Sequence, residues 1–193
     1  MIYIEETDGI TSERFQALLE RLPPEKREEV NKLYFDKDKL PKLLAYNLLR
    51  EALKFEYGLE ELPPFSYNKN GKPFFDSFPD IYFNLSHCDK AAVCVLDKIE
   101  VGVDVEDIAA FDPDLAQYVC NESELQEIIN SDNPGLAFTV LWTKKESYLK
   151  MRGRGLPEKK EIRSLLVGVA SEIFSVYIKK EFVVTLCKFP CRN

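Results

Sequence analysis

Residues 99–106, Ile-Glu-Val-Gly-Val-Asp-Val-Glu, alternate so regularly that they constrain the rest of the chain. In an extended segment Val101, Val103 and Val105 share one face, and Gly102, Asp104 and Glu106 share the other. Branched residues at every second position favour a strand over a helix. The valine face needs a core, and the opposite face carries two carboxylates that need solvent or a counter-charge. A second stretch, residues 141–150, reads as a helix on which Trp142, Glu146 and Lys150 stack at i,i+4 spacing. If that helix packs on that strand, Asp104, Glu106 and Glu146 converge from two rigid elements, with Lys150 one turn beyond. Two or three oxygen ligands with open positions are how proteins usually hold Mg²⁺ against substrate phosphates. Read from the residues alone, the trio fits that use and also fits surface charge held in local salt bridges.

A chain of 193 residues accommodates one large domain or two small, closely packed halves. A formal charge of -7 disfavours a nucleic-acid partner but permits a local basic pocket. No run of 18 apolar residues suggests a membrane span, and the N-terminus lacks a basic segment followed by an apolar one, so a cytoplasmic protein is expected. The five cysteines (Cys88, Cys94, Cys120, Cys187, Cys191) lack paired zinc spacing and read as free thiols; Cys187 and Cys191, four apart, are a weak metal signal.

The pattern along the chain predicts a first strand at residues 1–6, then helices at 12–22, 25–35 and 39–57, the last ending at Gly58 with Pro41 near its start. Residues 62–80 are rich in Pro, Gly and Asn and read as loop. Strands follow at 81–86, 91–96 and 99–106, joined by turns so short that they predict an antiparallel meander. Helices are expected at 115–119, 123–129 (capped by Ser123) and 136–151, and final strands at 173–179 and 182–187. This order indicates an α+β fold of two α/β halves with a cleft between them.

Other residues have two readings. His87, the only histidine, suits either a hydrogen-bonded turn or a phosphate contact at a cleft rim. Residues 143–152 hold four basic side chains and one acidic one, either complementing a helix terminus or forming an electropositive patch for a polyanion. Gly71-Lys72-Pro73 is a turn sequence first. Phosphate-binding loops of the Gly-x-x-x-x-Gly-Lys-Ser/Thr and Gly-x-Gly-x-x-Gly kinds are absent, and Ser86 lacks a nucleophile-elbow context.

Three motifs together carry a family resemblance: Asn84-Leu85-Ser86-His87, Val101-Gly102-Val103-Asp104-Val105-Glu106, and Trp142-Thr143-Lys144-Lys145-Glu146-Ser147-Tyr148-Leu149-Lys150. With softer similarity at Pro24-Glu25-Lys26-Arg27 and Gly71-Lys72-Pro73, the chain resembles a 4'-phosphopantetheinyl transferase of the longer, Sfp type. The resemblance implies a monomer of two similar halves, residues 1–98 and 99–193, related by a pseudo-twofold axis. It implies coenzyme A in the cleft and Mg²⁺ on Asp104, Glu106 and Glu146. It further implies Lys150 on the pyrophosphate, Lys26 and His87 at the 3'-phosphate end, and Ser86 and Lys72 as further coenzyme contacts. Glu146, Lys150 and Asp104 are the implied catalytic residues, and a serine of an apo acyl or peptidyl carrier protein the acceptor. Two positions depart from the family pattern: Glu29 stands where a second basic residue is common, and Pro41, with Lys42 beside it, stands where the long helix commonly starts with one.

Overall fold

A computed structural model of the chain describes residues 1–190, the side chain of Asp36 excepted. The chain runs through β1 (Ile2–Glu6), α1 (Ser12–Glu20), α2 (Pro24–Asn31), α3 (Asp36–Tyr57), the short β2 (Ser66–Tyr67) and β3 (Pro73–Phe74), β4 (Tyr82–His87) and β5 (Ala91–Asp97). It then repeats the plan with β6 (Val101–Asp107), α4 (Pro113–Val119), α5 (Glu122–Ile129), α6 (Pro134–Met151), α7 (Lys159–Ser164), β7 (Phe174–Ile178) and β8 (Phe182–Lys188). The first sheet has the order β1-β5-β4 and the second β6-β8-β7, all pairs antiparallel. In each, the strand that opens the half pairs with the strand that closes it, and the helices lie between them in sequence. The long helix α3 packs on β4 and β5, and α6 on β6 and β8. The architecture is a mixed α/β fold of two similar halves with a pseudo-twofold repeat.

Local chemistry accounts for the long elements. Pro41 sits in the early part of α3, and Gly58 ends it in the left-handed region at φ 69°. The buried stripe of α3 includes Leu43, Leu44, Leu49, Ala52 and Leu53. Between the two sheets, Val93 and Val95 of β5 pack with Val101, Val103 and Val105 of β6 and with Phe182, Val184 and Leu186 of β8. The predicted valine face of β6 is therefore the seam that joins the halves. On its other face Gly102 allows backbone contact with α6, because a Cβ there would lie 2.0 Å from the Ser147 carbonyl oxygen and 2.4 Å from the Met151 nitrogen.

The meander does not form. β4 and β5 pair as expected, but β6 leaves that sheet and pairs with β8, Val103 opposite Leu186 and Asp104 opposite Thr185. Alternation identifies a strand but not its partner. Towards β4, β6 is held by side chains: Val103 N donates to Asn84 Oδ1 (2.8 Å) and Val105 N to Ser86 Oγ (3.3 Å). The cap of α5 is Asn121, in a capping box with Glu124, rather than Ser123. The short α7 escapes sequence reading because six residues carry too little periodicity. Cys88, Cys94, Cys120 and Cys187 are free thiols; Cys191, and with it the weak Cys187–Cys191 metal signal, lies outside the described residues.

The basic patch expected from residues 143–152 is also dispersed. Lys145 is fully buried, and its Nζ donates to Glu124 Oε2 (2.8 Å), Val119 O (2.9 Å) and Ile162 O (3.0 Å), fastening α4, α5 and α7 to α6. Lys144, one residue earlier and about 100° round the helix, lines a groove beside α5. Removing one partner of a buried pair costs about 3–5 kcal/mol, whereas a surface change stays within about 0.5 kcal/mol. Urea unfolding of Lys145→Met should show the large loss and Lys144→Met the small one; equal, small effects would refute the buried-cation role.

Candidate active site

Because β6 and α6 run antiparallel with backbones in contact at Gly102, the i,i+4 row on α6 meets the carboxylate face of β6. Trp142 lies against Glu106, its Nε1 donating to Glu106 Oε1 at 3.2 Å. One end further, Lys150 Nζ donates to Asp104 Oδ1 at 2.6 Å. Ser86, from β4 of the other half, completes a triangle: its Oγ donates to Asp104 Oδ1 (2.9 Å) and accepts from Lys150 Nζ (2.9 Å). Glu146 sits between them, half-buried, and feels the charges of both Asp104 and Lys150. Asp104 itself is only 2% exposed. A carboxylate expected to open into a cleft is instead enclosed, with one oxygen, Oδ2, buried and without a hydrogen-bond partner.

The electrostatics follow from this crowding. Burial raises the pKa of Glu106 to about 7, and the charges of Asp104 and Glu146 add to the rise against the opposing Trp142 hydrogen bond and Lys150 charge. Burial likewise raises Glu146, with Lys150 opposing and Asp104 adding. Asp104 is raised by burial despite Lys150 and Ser86. Three carboxylates thus share one ammonium, and the cluster is short of positive charge. Among the described residues, no three His, Cys, Asp or Glu side chains are arranged as a ready metal cage. The donor set is nonetheless all oxygen, carries the unpartnered Asp104 Oδ2, and suits a Mg²⁺ that keeps several water or phosphate ligands.

The remaining candidate residues surround this cluster unevenly. His87 ends β4 at the surface; desolvation first, then the charges of Lys150 and Lys42, lower its pKa, while Asp38 opposes. Lys26 is 6% exposed, with its Nζ 4.1 Å from the Phe65 ring centroid. It donates to Glu29 Oε1 (2.6 Å) and the Tyr67 hydroxyl (2.9 Å). Glu29 also accepts from the Tyr46 hydroxyl (2.5 Å). Burial works against the Glu29 charge, yet hydrogen bonds from Lys26 and Tyr46 and the charges of Lys26 and Lys42 hold its pKa below the ordinary value. The Lys26 cation is therefore already matched. Lys42 lies in the same corner, its Nζ 6.0 Å from the Tyr46 ring centroid and its charge felt by Glu29. Lys72 donates to the backbone carbonyls of Val101 and Met151 (3.1 Å each), which sequence reading did not anticipate. Trp142 was legible only as a helix-face residue, although a buried indole N–H needs an acceptor and Glu106 was the nearest unpaired one in register.

The raised Glu106 pKa makes a pH prediction. Between an unfolded value near 4.5 and the folded value of about 7, the folded state binds the extra proton, so stability falls as pH rises through that window. A divalent cation held by the cluster would favour the ionised form and so should weaken the trend. Thermal melts from pH 5 to 8 should show a Tm that declines in chelator and declines less in millimolar Mg²⁺. Parallel curves, or a decline that persists in Glu106→Gln, would refute the assignment.

With the geometry in hand, comparison with known proteins is informative. Residues 100–184, which contain the whole β6–α6 cluster, match the model of the 4'-phosphopantetheinyl transferase superfamily. The chain is 30% identical over 148 residues to the 4'-phosphopantetheinyl transferase Sfp of Bacillus subtilis (strain 168), covering 75% of this chain and 65% of that protein. It is 32% identical over 160 residues to the 4'-phosphopantetheinyl transferase gsp of Aneurinibacillus migulanus, covering 81% and 66%. Against the 4'-phosphopantetheinyl transferase AcpT of Salmonella typhi the identity is 38% over 101 residues, covering 49% and 52%. Each match spans slightly under two thirds of the relative's length or less. No described helix is long and apolar enough to cross a membrane. Taken with the fold and the cluster between β6 and α6, these likenesses support membership of the chain in the 4'-phosphopantetheinyl transferase superfamily.

Proposed function

We propose that this chain transfers the 4'-phosphopantetheine group of coenzyme A to a serine of an apo acyl or peptidyl carrier protein. The observation that carries the reading is the Ser86–Asp104–Lys150 triangle, in which a serine of the first half meets a cation and a partly unpartnered carboxylate of the second. In this reading the chain is the longer, fused form of the family, a cytoplasmic monomer with halves 1–98 and 99–193 and its site in the cleft between them.

The residues divide the work by their chemistry. Asp104, Glu106 and Glu146 would hold Mg²⁺, which supplies charge neutralisation at the pyrophosphate when bound. Lys150 binds the pyrophosphate and offsets the charge that grows as the leaving group departs. The serine Oγ attacks the β-phosphorus, the bond to the adenylate-side oxygen breaks, and adenosine 3',5'-bisphosphate leaves. Glu146 takes the serine proton directly or through water; its raised pKa suits a base better than a solvated carboxylate would. Ser86 keeps Asp104 and Lys150 in register at the edge of the coenzyme site. His87 and Lys42 meet the 3'-phosphate end, and Lys26 joins them only by loosening its pair with Glu29.

The direct test is mass spectrometry of an apo-carrier protein incubated with the chain, coenzyme A and Mg²⁺. The expected result is the added phosphopantetheine mass, absent in chelator. Coenzyme cleavage without a carrier would indicate a hydrolase, and no Mg²⁺-dependent coenzyme binding would indicate a non-enzymatic adaptor. In single-turnover transfer, Lys150→Ala should lower the rate at saturating coenzyme by at least about tenfold. Glu146→Gln should do the same and be only partly rescued by a Mg²⁺ series; full rescue would make it a ligand and nothing more.

The Lys26–Glu29 pair makes a separate prediction about selectivity. The chain should discriminate weakly between coenzyme A and its 3'-dephospho form. Glu29→Gln keeps the acceptor for Tyr46 but frees the Lys26 charge, and a charge-assisted contact is worth about 1.5–3 kcal/mol. The preference for coenzyme A over the dephospho form, as a ratio of kcat/KM, should therefore rise by about tenfold or more. An unchanged ratio would place Lys26 away from that phosphate.

A further inference from the structure

Helix α6 carries Trp142, Glu146 and Lys150, and its C-terminal end is finished by the other half of the molecule. Every helix leaves its last carbonyls without intrahelical partners. Here Arg152 N, Gly153 N and Arg154 N return to Tyr148 O, Lys150 O and Leu149 O. Two further carbonyls, those of Met151 and Gly153, are taken by the turn between β2 and β3. Lys72 Nζ donates to Met151 O (3.1 Å), and Asn68 Nδ2 and Asn70 Nδ2 both donate to Gly153 O (3.2 and 2.8 Å). The same ammonium donates to Val101 O (3.1 Å), at the first residue of β6. One side chain thus ties the start of the strand bearing Asp104 and Glu106 to the end of the helix bearing Glu146 and Lys150.

The turn is built to hold that position. Asn68 Oδ1 accepts from both Asn70 N and Lys72 N (2.9 Å each), Asn68 N donates to Lys72 O (3.0 Å), and Gly71 takes the left-handed conformation at φ 86°. Gly153, at φ 60°, leaves no room for a Cβ, which would lie 2.8 Å from Asn68 Nδ2. The Lys72 ammonium also sits at the negative end of the α6 dipole. Its pKa is lowered by burial, with Glu100 opposing, as expected of a cation enclosed among carbonyls.

We propose that the turn at residues 68–72 is a positioning device: it sets the axial register of α6 on β6, and Lys72 acts through Lys150 and Asp104 instead of touching coenzyme. The consequence for rate rests on the transferase reading above; the clamp itself does not. Displacement of reacting groups by about 1 Å costs up to about a hundredfold in rate, so a partial slip should cost about tenfold.

The test compares Lys72→Met, which keeps the stem and loses the charge, with Asn70→Ala, which removes one contact to Gly153, and with Lys69→Ala, an exposed control in the same turn. Four readouts are taken on the full chain: the indole resonance, the single-turnover rate, the Kd for coenzyme A and the Tm. Trp142 is the only tryptophan, so its single indole N–H resonance reports the α6–β6 register through its bond to Glu106. That resonance should move in Lys72→Met and Asn70→Ala and stay in place in Lys69→Ala. Single-turnover transfer should fall about tenfold in Lys72→Met and less in Asn70→Ala, with the Kd for coenzyme A unchanged within about twofold and partial recovery in Lys72→Arg. If Lys72→Met does not fold, Asn70→Ala carries the test. An unmoved indole signal in the clamp variants overturns the proposal whatever the activity. A raised coenzyme Kd at a normal saturated rate overturns it in favour of direct contact, and a lower Tm with an unchanged rate reduces the turn to a purely structural role. Absence of carrier transfer in the unaltered protein refutes the transferase reading alone, leaving the indole signal to decide the clamp.

Discussion

Asp104 is a carboxylate in a place where a carboxylate is expensive, and the arrangement around it is organised to keep it there. It is 2% exposed, lies between β6, α6 and β4, and has one oxygen bonded to Lys150 and Ser86 and the other unpartnered. A buried ion pair adds little to stability compared with apolar packing, so its value lies in what it holds ready. Here it aligns a lysine from one element and a serine from the opposite half on a single anion. Burial is the main cause of the raised pKa values of Glu106 and Glu146, and the Asp104 charge adds to both.

Such a site needs rigid walls, and the molecule supplies them by joining its halves through an apolar seam. Val93 and Val95 from one sheet meet the alternating valines of β6 and the core residues of β8. At the edge nearest the site the two sheets do not exchange a backbone ladder. Asn84 and Ser86 accept from the N–H groups of Val103 and Val105 instead. Side-chain bridging leaves Ser86 able to serve both the sheet junction and Asp104, so the fold and the site are held by the same hydroxyl. The turn at residues 68–72 reinforces the same boundary from the other end of β6.

The repeated plan carries this chemistry once. When the closing strands β5 and β8 are aligned through their registers, Tyr3 and Glu5 of β1 occupy the positions of Asp104 and Glu106 on β6. Tyr3 donates to Glu56 (2.8 Å), and Glu5 is bonded to Arg14. In the first half the Glu5 charge is therefore matched by an exposed arginine and the other position holds a neutral phenol, and the helix α3 packs on an aromatic core in which Phe75 and Phe83 stack at 4.5 Å. The second half keeps its carboxylates together with a single lysine among them, and that imbalance marks the candidate site.

Much of this was legible in the sequence, because periodicity reports which residues share a face. The alternation at residues 99–106 determined that the valines go one way and Asp104 and Glu106 the other, and the i,i+4 row determined that Trp142, Glu146 and Lys150 travel together. Gly58 marked the end of the long helix, whereas its start at Asp36 lies five residues before Pro41. Tertiary structure decided what each face meets. Alternation could not tell that β6 would pair with β8, since a strand's hydrogen-bonding groups are the same on both edges. Nor could a run of lysines reveal that Lys145 is buried on Glu124 while Lys144 lines a groove, because adjacent helical residues point about 100° apart and only packing says which direction is inside. Lys26 and Lys72 make the same point. Sequence determined that each is a cation beside a turn or helix start, but whether its charge is free for a ligand depends on Glu29 in one case and on the carbonyls of Val101 and Met151 in the other. Those partners are fixed by how distant segments meet, since the energy of a charge is set by its surroundings in space.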